Sequence, residues 1–464
     1  MSHEGMGRRQ FLGMTSMLMG LGALSACQRM VHAETKTDAP QRLATFACDV
    51  TPPMGTPVYS GYKPMSFRET PLMAKGVILE DNGKRYVLCA VDYCELRNST
   101  HLIWRTKIAE AAGTEVSRVA VQCVHQHTAP MADGDAARIL MKEGDPSSQP
   151  SAESFEEPAY RVADSVKFAL DYLTPFDRIG TSQAKVERVA SNRRVPIGDG
   201  KAGFRASSCK DPKLIEMPEG LIDPFLKTIT FAQGDKPLVR LHYYATHPQS
   251  FYGDPRVSYD FVGMARERLQ FEEHVPQIYF NGCGGNVACG KYNDASVQAR
   301  EGLFERLYAA MQASTAAAQY APASEIIWRN VPFAMIPRED GEYSDDVARA
   351  TMKDSTKAPH IRLGGAMTLA CKARAKTPVD LTSWEMGDVK AIHLPGEPAV
   401  EFQLYAQELC PDKFVCTAGY GDGAPGYVCL ERFFEEGGYE PTASTVIPQS
   451  EKPFRDAIRN LLGA

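Results

Sequence analysis

The chain has 464 residues, 44% hydrophobic and 23% charged, a balance that excludes a disordered or fibrous protein. Lys plus Arg number 51 and Asp plus Glu 57, a net charge of −6, so no basic excess is present to grip a nucleic acid. No apolar run reaches the ~20 residues of a bilayer span, and no internal sequence repeat is visible.

The first element is an address. Arg8-Arg9-Gln10-Phe11-Leu12 followed by a mildly apolar stretch to Leu24 has the form of a twin-arginine export signal. Leu24-Ser25-Ala26-Cys27 has the form of a lipobox, with Cys27 as the lipidated mature N-terminus; cleavage after Val31-His32-Ala33 is the alternative. Residues 1–33 are therefore set apart as signal and linker, and 34–464 as one folded domain. The expected location is the periplasm or cell envelope, with membrane association through Cys27. Twelve cysteines occur without any C-x-x-C, which disfavours a zinc ribbon and a thioredoxin-type pair. Eleven remain once Cys27 is set aside. An odd number leaves at least one thiol unpaired within the chain.

Strands are expected at Gly76–Leu79, Tyr86–Val91, Val119–His127, Thr228–Phe231, Leu238–Ala245, Gln277–Phe280, Val389–Leu394 and Phe414–Ala418. Helices are expected at Leu102–Ala112, Ala159–Leu173, Phe261–Phe271, Arg300–Ala318, Ala399–Leu409 and Lys452–Leu462. The alternation predicts a mixed α/β fold, a partly parallel sheet core flanked by helices, in a single domain. Ala132–Glu157 and Pro196–Glu219 are charged, Pro-bearing or Gly-rich and read as long loops over a cleft. Arg338–Lys376 reads as an irregular helical insertion.

Three features carry chemistry. His125 and His127 close an apolar strand, and strand alternation would place both imidazoles on one face. His247 closes a second strand, with Pro248 after it. Glu397 follows a third strand and a Pro395-Gly396 turn, where a helix N-cap is the plainer reading. Each is weak alone. Together, His, His, His and Glu at strand ends form the donor set of a zinc site, placed where open α/β sheets bind ligands. The Gly282–Gly290 loop offers backbone N–H groups to an oxyanion or is a tight turn. Gly421–Gly426 matches G-x-G-x-x-G, but Pro425 stands where a helix should open and no βαβ unit follows. The chain has no G-x-S-x-G, H-E-x-x-H or Walker A sequence.

Read in order, several short motifs resemble the catalytic N-terminal domain of the neutral/alkaline (non-lysosomal) ceramidase family, zinc amidases that cleave the N-acyl bond of ceramide. They are Phe46-Ala-Cys-Asp49-Val-Thr51 with Gly61-Tyr62, His125-Gln-His127-Thr-Ala-Pro130, Ser191-Asn192-Arg193, Thr246-His247-Pro248 with Ser250, Val257-Ser258-Tyr259-Asp260 with Gly263, Leu394-Pro-Gly-Glu397, Tyr427, and Gly438-Tyr439-Glu440 with Ser444. The resemblance implies His125, His247, Glu397 and Tyr427 as zinc ligands, with His127, Arg193 and Tyr439 around the scissile carbonyl. It implies a zinc-dependent hydrolase that cleaves an N-acyl amide of a small-molecule or lipid substrate by metal-activated water, with ceramide or another N-acylated lipid in the lead. Two departures mark a divergent member: Ala288 and Asn286 stand where the family has a serine and an aspartate, and the family's C-terminal immunoglobulin-like domain has no counterpart here. The altered loop keeps open an ester or carbohydrate-derived substrate, or a non-catalytic surface lipoprotein. The polar run after Gly290 tilts the expectation towards a substrate more polar than ceramide, touched by Cys289, Lys291 or Tyr292.

Overall fold

A computed structural model describes residues 40–58, 63–143, 151–251 and 253–464. The expected export and lipidation signals (Arg8, Arg9 and Cys27) and the Gly61-Tyr62 pair lie outside the described residues. The chain forms the expected mixed α/β fold, with three main sheets that follow one chain path. In the first, β1 (Arg42–Asp49), β2 (Met73–Asp81) and β3 (Lys84–Val91) pair antiparallel, α1 (Asn98–Ala112) crosses over, and β4 (Val119–Cys123) returns parallel to β3. In the second, β5 (Arg178–Lys185), β6 (Phe225–Gln233) and β7 (Lys236–Tyr244) are followed by α2 (Asp260–Glu273) and β8 (Gln277–Asn281), again parallel at the last step. The third repeats this with β9 (Ile327–Phe333), β10 (Val379–Met386), β11 (Val389–His393), α3 (Val400–Leu409) and β12 (Phe414–Ala418). A parallel neighbour needs a long crossover, which is why a helix sits before each returning strand. The repeat shows in backbone pairing and not in the residues.

One face of each sheet contributes to a shared core: Val77 and Leu88 from the first, Ile229 and Leu241 from the second, Trp384 and Ala391 from the third. The opposite faces are covered by helices. Ile78, Cys89 and Val121 meet Trp104 and Ile108 of α1, and Ile392 and Val415 lie with Phe402 of α3 and Phe454 of the C-terminal helix Glu451–Leu462. Burial on both faces gives near-continuous apolar strands, which is what made them legible.

Two expectations need correction. The presumed loop 132–157 contains the helix Gly134–Glu143 and the start of Ala152–Ala169. Its apolar stripe, Ala136 and Leu140, packs on Leu363, Ala366 and Ala370 of the helix Pro359–Arg374. The presumed loop 196–219 holds a hairpin, Arg194–Gly198 against Lys201–Phe204, and the short helix Pro212–Glu216.

Candidate metal centre

All three units end alike. The segment leaving β3, β7 or β11 pairs in parallel with the segment beyond the returning strand: Glu95 with Met131, His247 with Ala288, Glu397 with Tyr427. These crossings bring distant residues together at the C-terminal ends of parallel strands, the usual place for an α/β site.

His125 arrives by a different route from the one the alternation argument implied. Strand β4 stops at Cys123, and His125 lies two residues on with φ +75°, a left-handed conformation costly for a non-glycine residue. Its N–H donates to the Tyr93 carbonyl at 2.9 Å. The turn, not the pleat, brings the His125 and His127 rings together, perpendicular at 4.9 Å.

The donor atoms form a candidate cation site. His125 Nδ1 lies 2.8 Å from the Cys94 carbonyl, and His247 Nδ1 lies 2.7 Å from the Gly284 carbonyl. A carbonyl only accepts, so each Nδ1 carries the hydrogen and each Nε2 presents a lone pair. Both Nε2 atoms stand 3.1 Å from Glu397 Oε2, and His247 Nε2 is 3.2 Å from the Tyr427 hydroxyl. His125, His247 and Glu397 offer ligand atoms within 4.8 Å of one another, and all three are buried. Burial, reinforced by the Arg193 guanidinium, lowers His247 to about 4, so it is neutral at pH 7. Burial raises the Tyr427 phenol well above its ordinary value. Glu397 Oε2 accepts no hydrogen bond among the described residues. A buried carboxylate oxygen facing two imidazole lone pairs is repulsive unless a cation sits among them. Two nitrogens, a carboxylate and a phenol are a donor set that suits zinc.

Arg193 and His127 flank these donors. Arg193 NH1 donates to the Tyr427 hydroxyl at 3.0 Å, lies 3.1 Å from His247 Nε2 and reaches the Gly285 carbonyl at 3.2 Å. Its guanidinium also lies over the Phe204 and Tyr439 rings, at 5.0 and 5.1 Å. His127 Nε2 stands 3.3 Å from His125 Nε2, and burial holds its pKa well below the ordinary imidazole value. Tyr439 enters through ring contacts, 5.7 Å from Tyr427 and 5.1 Å from Phe204. All seven residues singled out in the sequence therefore converge.

Two N–H groups of the glycine loop are engaged elsewhere. Gly285 N–H donates to the Pro398 carbonyl and Val287 N–H to the Gly284 carbonyl, so neither is open to an oxyanion. A Cβ on Gly285 would stand 2.5 Å from the Glu397 carbonyl oxygen; the glycine permits this close approach. Asn286 accepts from Val400 N–H at 2.8 Å and donates to Glu401 at 2.9 Å, capping α3 just beyond Glu397. Cys289, Lys291 and Tyr292 turn away: the thiol reaches the Ser207 carbonyl, the ammonium reaches the Ile215 and Met217 carbonyls, and the phenol meets Glu219. The polar-substrate expectation loses these contacts.

Sequence reasoning missed two neighbours. Glu95, buried and 3.4 Å from Arg97 Nε, holds the place in the first unit that His247 and Glu397 hold in the others. Tyr420 stacks on His125 with centroids 4.2 Å apart. Neither belongs to a motif, and only the chain crossings reveal them.

No family model matches the sequence, nor does any curated protein. Among solved structures the chain is similar to neutral ceramidase from Pseudomonas aeruginosa, with a TM-score of 0.66 and 15% identity over 92% of this chain and 74% of that one. It is equally similar to a ceramidase complexed with C2, TM-score 0.66 and 16% identity, over 92% and 75%. The fold is ceramidase-like.

Proposed function

We propose that the protein is a zinc-dependent hydrolase that cleaves an N-acyl amide, with ceramide or another N-acylated lipid as the leading substrate. The observation that carries this reading is the convergence of His125 Nε2, His247 Nε2 and Glu397 Oε2 on one buried point, with the carboxylate oxygen lacking a donor. The shared fold with neutral ceramidase supports it. His125, His247, Glu397 and Tyr427 would hold the ion. When bound, zinc supplies a Lewis acid for the carbonyl and lowers the pKa of water to ~7.

The chain's own residues do the rest. Water adds to the amide carbon, the C–N bond breaks, and the products are a carboxylate and an amine that leaves with a proton. The His127 imidazole accepts the water's proton and returns one to the departing nitrogen. Arg193 directs NH1 into the cluster, where it donates to the oxygen that gains charge. Tyr439 stacks beside that guanidinium and supplies a second donor. Burial of the ligand residues excludes bulk water and strengthens each of these contacts.

The test is hydrolysis of ceramide and small N-acyl amines, with ester and N-acyl sugar analogues alongside. Chelator treatment should abolish release of the free acid, and zinc should restore it. Turnover unaffected by exhaustive metal removal would contradict the reading.

Export by the twin-arginine route and lipidation at Cys27 complete the proposal. All eleven described cysteines are free, nine of them buried, and burial pushes the Cys289 thiol up to about 12. Such thiols suit a protein that folds before it meets an oxidising compartment. Replacing Arg8 and Arg9 with Lys should trap the precursor; undiminished export would refute this route.

A further inference from the structure

We propose that Tyr420 is a positioning residue that fixes the spacing of the three ligand segments, a role that rests on the zinc reading above. Tyr420 is buried, and five contacts tie it to all three. Its ring stacks on His125, centroids 4.2 Å apart and planes inclined by 27°. The same ring meets His247 edge-on at 6.3 Å. Its hydroxyl occupies the space beside Gly284, where it would lie 2.8 Å from a Cβ at that position. Gly284 in turn supplies the carbonyl that orients His247. Along the backbone, Tyr420 N–H donates to the Gly396 carbonyl at 2.9 Å, one residue before Glu397. The Tyr420 carbonyl accepts from Cys123 N–H at 2.7 Å, two residues before His125.

The repeated chain path explains why one residue does this. Tyr420 lies two residues beyond β12, as His125 lies two beyond β4, and both have left-handed backbones, φ +63° and +75°. The third unit therefore aims a side chain at the place where the first unit aims a ligand, and that side chain packs flat against the ligand. A strained backbone at two matched positions persists only when surrounding contacts hold it. Here the stack and the two backbone hydrogen bonds supply those contacts. The hydroxyl has no hydrogen-bond partner among the described residues, so the ring rather than the oxygen carries the role.

Outer contacts that orient metal-binding imidazoles are typically worth 10–100-fold in metal affinity. Tyr420→Leu keeps most of the volume and removes the stacking face; Tyr420→Phe keeps the face and removes only the oxygen. Zinc affinity is measured by competition with a chromophoric chelator, and cobalt-substituted protein gives a visible spectrum that reads ligand geometry. Tyr420→Leu should bind zinc at least tenfold more weakly and shift the cobalt spectrum, while Tyr420→Phe should stay within about threefold of the unaltered protein. If Tyr420→Leu does not fold, Tyr420→Met is read in its place with the same expectation. Unaltered zinc affinity and an unaltered cobalt spectrum in a folded leucine or methionine variant would overturn the role. A loss in the phenylalanine variant equal to that in leucine would overturn it too, by giving the role to the oxygen. Failure of the unaltered protein to bind zinc would refute the zinc reading itself, a distinct result.

Discussion

The turns after β7 and β11 are built alike and carry different chemistry. In each, the proposed ligand donates its N–H to a carbonyl in the segment beyond the returning strand, His247 to Val287 and Glu397 to Gly426. Beside His247 the paired residue is Ala288; beside Glu397 it is Tyr427. The backbone decides where a donor stands, and the paired residue decides whether a hydroxyl joins it. Function can therefore change at Ala288 or Tyr427 without disturbing the frame.

The largest effect is expected at the proposed ligands. His125→Ala or His247→Ala should lose zinc by about 100-fold or more in affinity, read by metal analysis after dialysis, because each removes a nitrogen from a four-donor set. Near-full metal content in the His247→Ala variant would break the equivalence of the two turns as metal-holding devices. Tyr427→Phe should cost about tenfold in zinc affinity, less than a histidine, since three donors remain. Ala288→Ser should leave zinc content unchanged and raise kcat/KM on N-acyl substrates about tenfold, a fraction of the ~10²–10³ of a fully preorganised donor. A change in metal content instead would mean that the Ala288 side of the comparison bears on the frame. The smallest effect is expected at Asn286→Ala, which removes the α3 cap at about 1 kcal/mol. A lowered melting temperature with intact zinc content checks it.

The sequence exposed much of this, and its failures have physical causes. Strands buried on both faces, such as Val87–Val91 and Leu241–Tyr244, were readable as apolar runs. The strand Arg178–Lys185 is half exposed and polar in composition, and it left no such signal. His247 and Glu397 were visible because each follows an apolar strand and has a proline close by, Pro248 after His247 and Pro395 before Glu397. His125 and His127 were found for an inexact reason, since a left-handed turn replaces the alternation that was supposed to align them. Tyr427 came only through the family resemblance, and Tyr420 not at all. Their positions depend on pairing between Gly426 and Glu397 or between Cys123 and Tyr420, which local pattern cannot report. In the glycine loop, Gly285 serves close packing against Glu397, a need that the local pattern does not report.

The most direct test is the zinc content of the purified protein, measured beside that of Glu397→Gln. Glu397 Oε2 is the oxygen that faces both imidazoles, so the substitution removes the charge at the shared point with little change in shape. About one equivalent of zinc is expected in the unaltered protein and well under half an equivalent in the variant, with both folded. A metal-free protein that still cleaves N-acyl substrates, or a fully loaded Glu397→Gln variant, would contradict a metal centre built on these three residues.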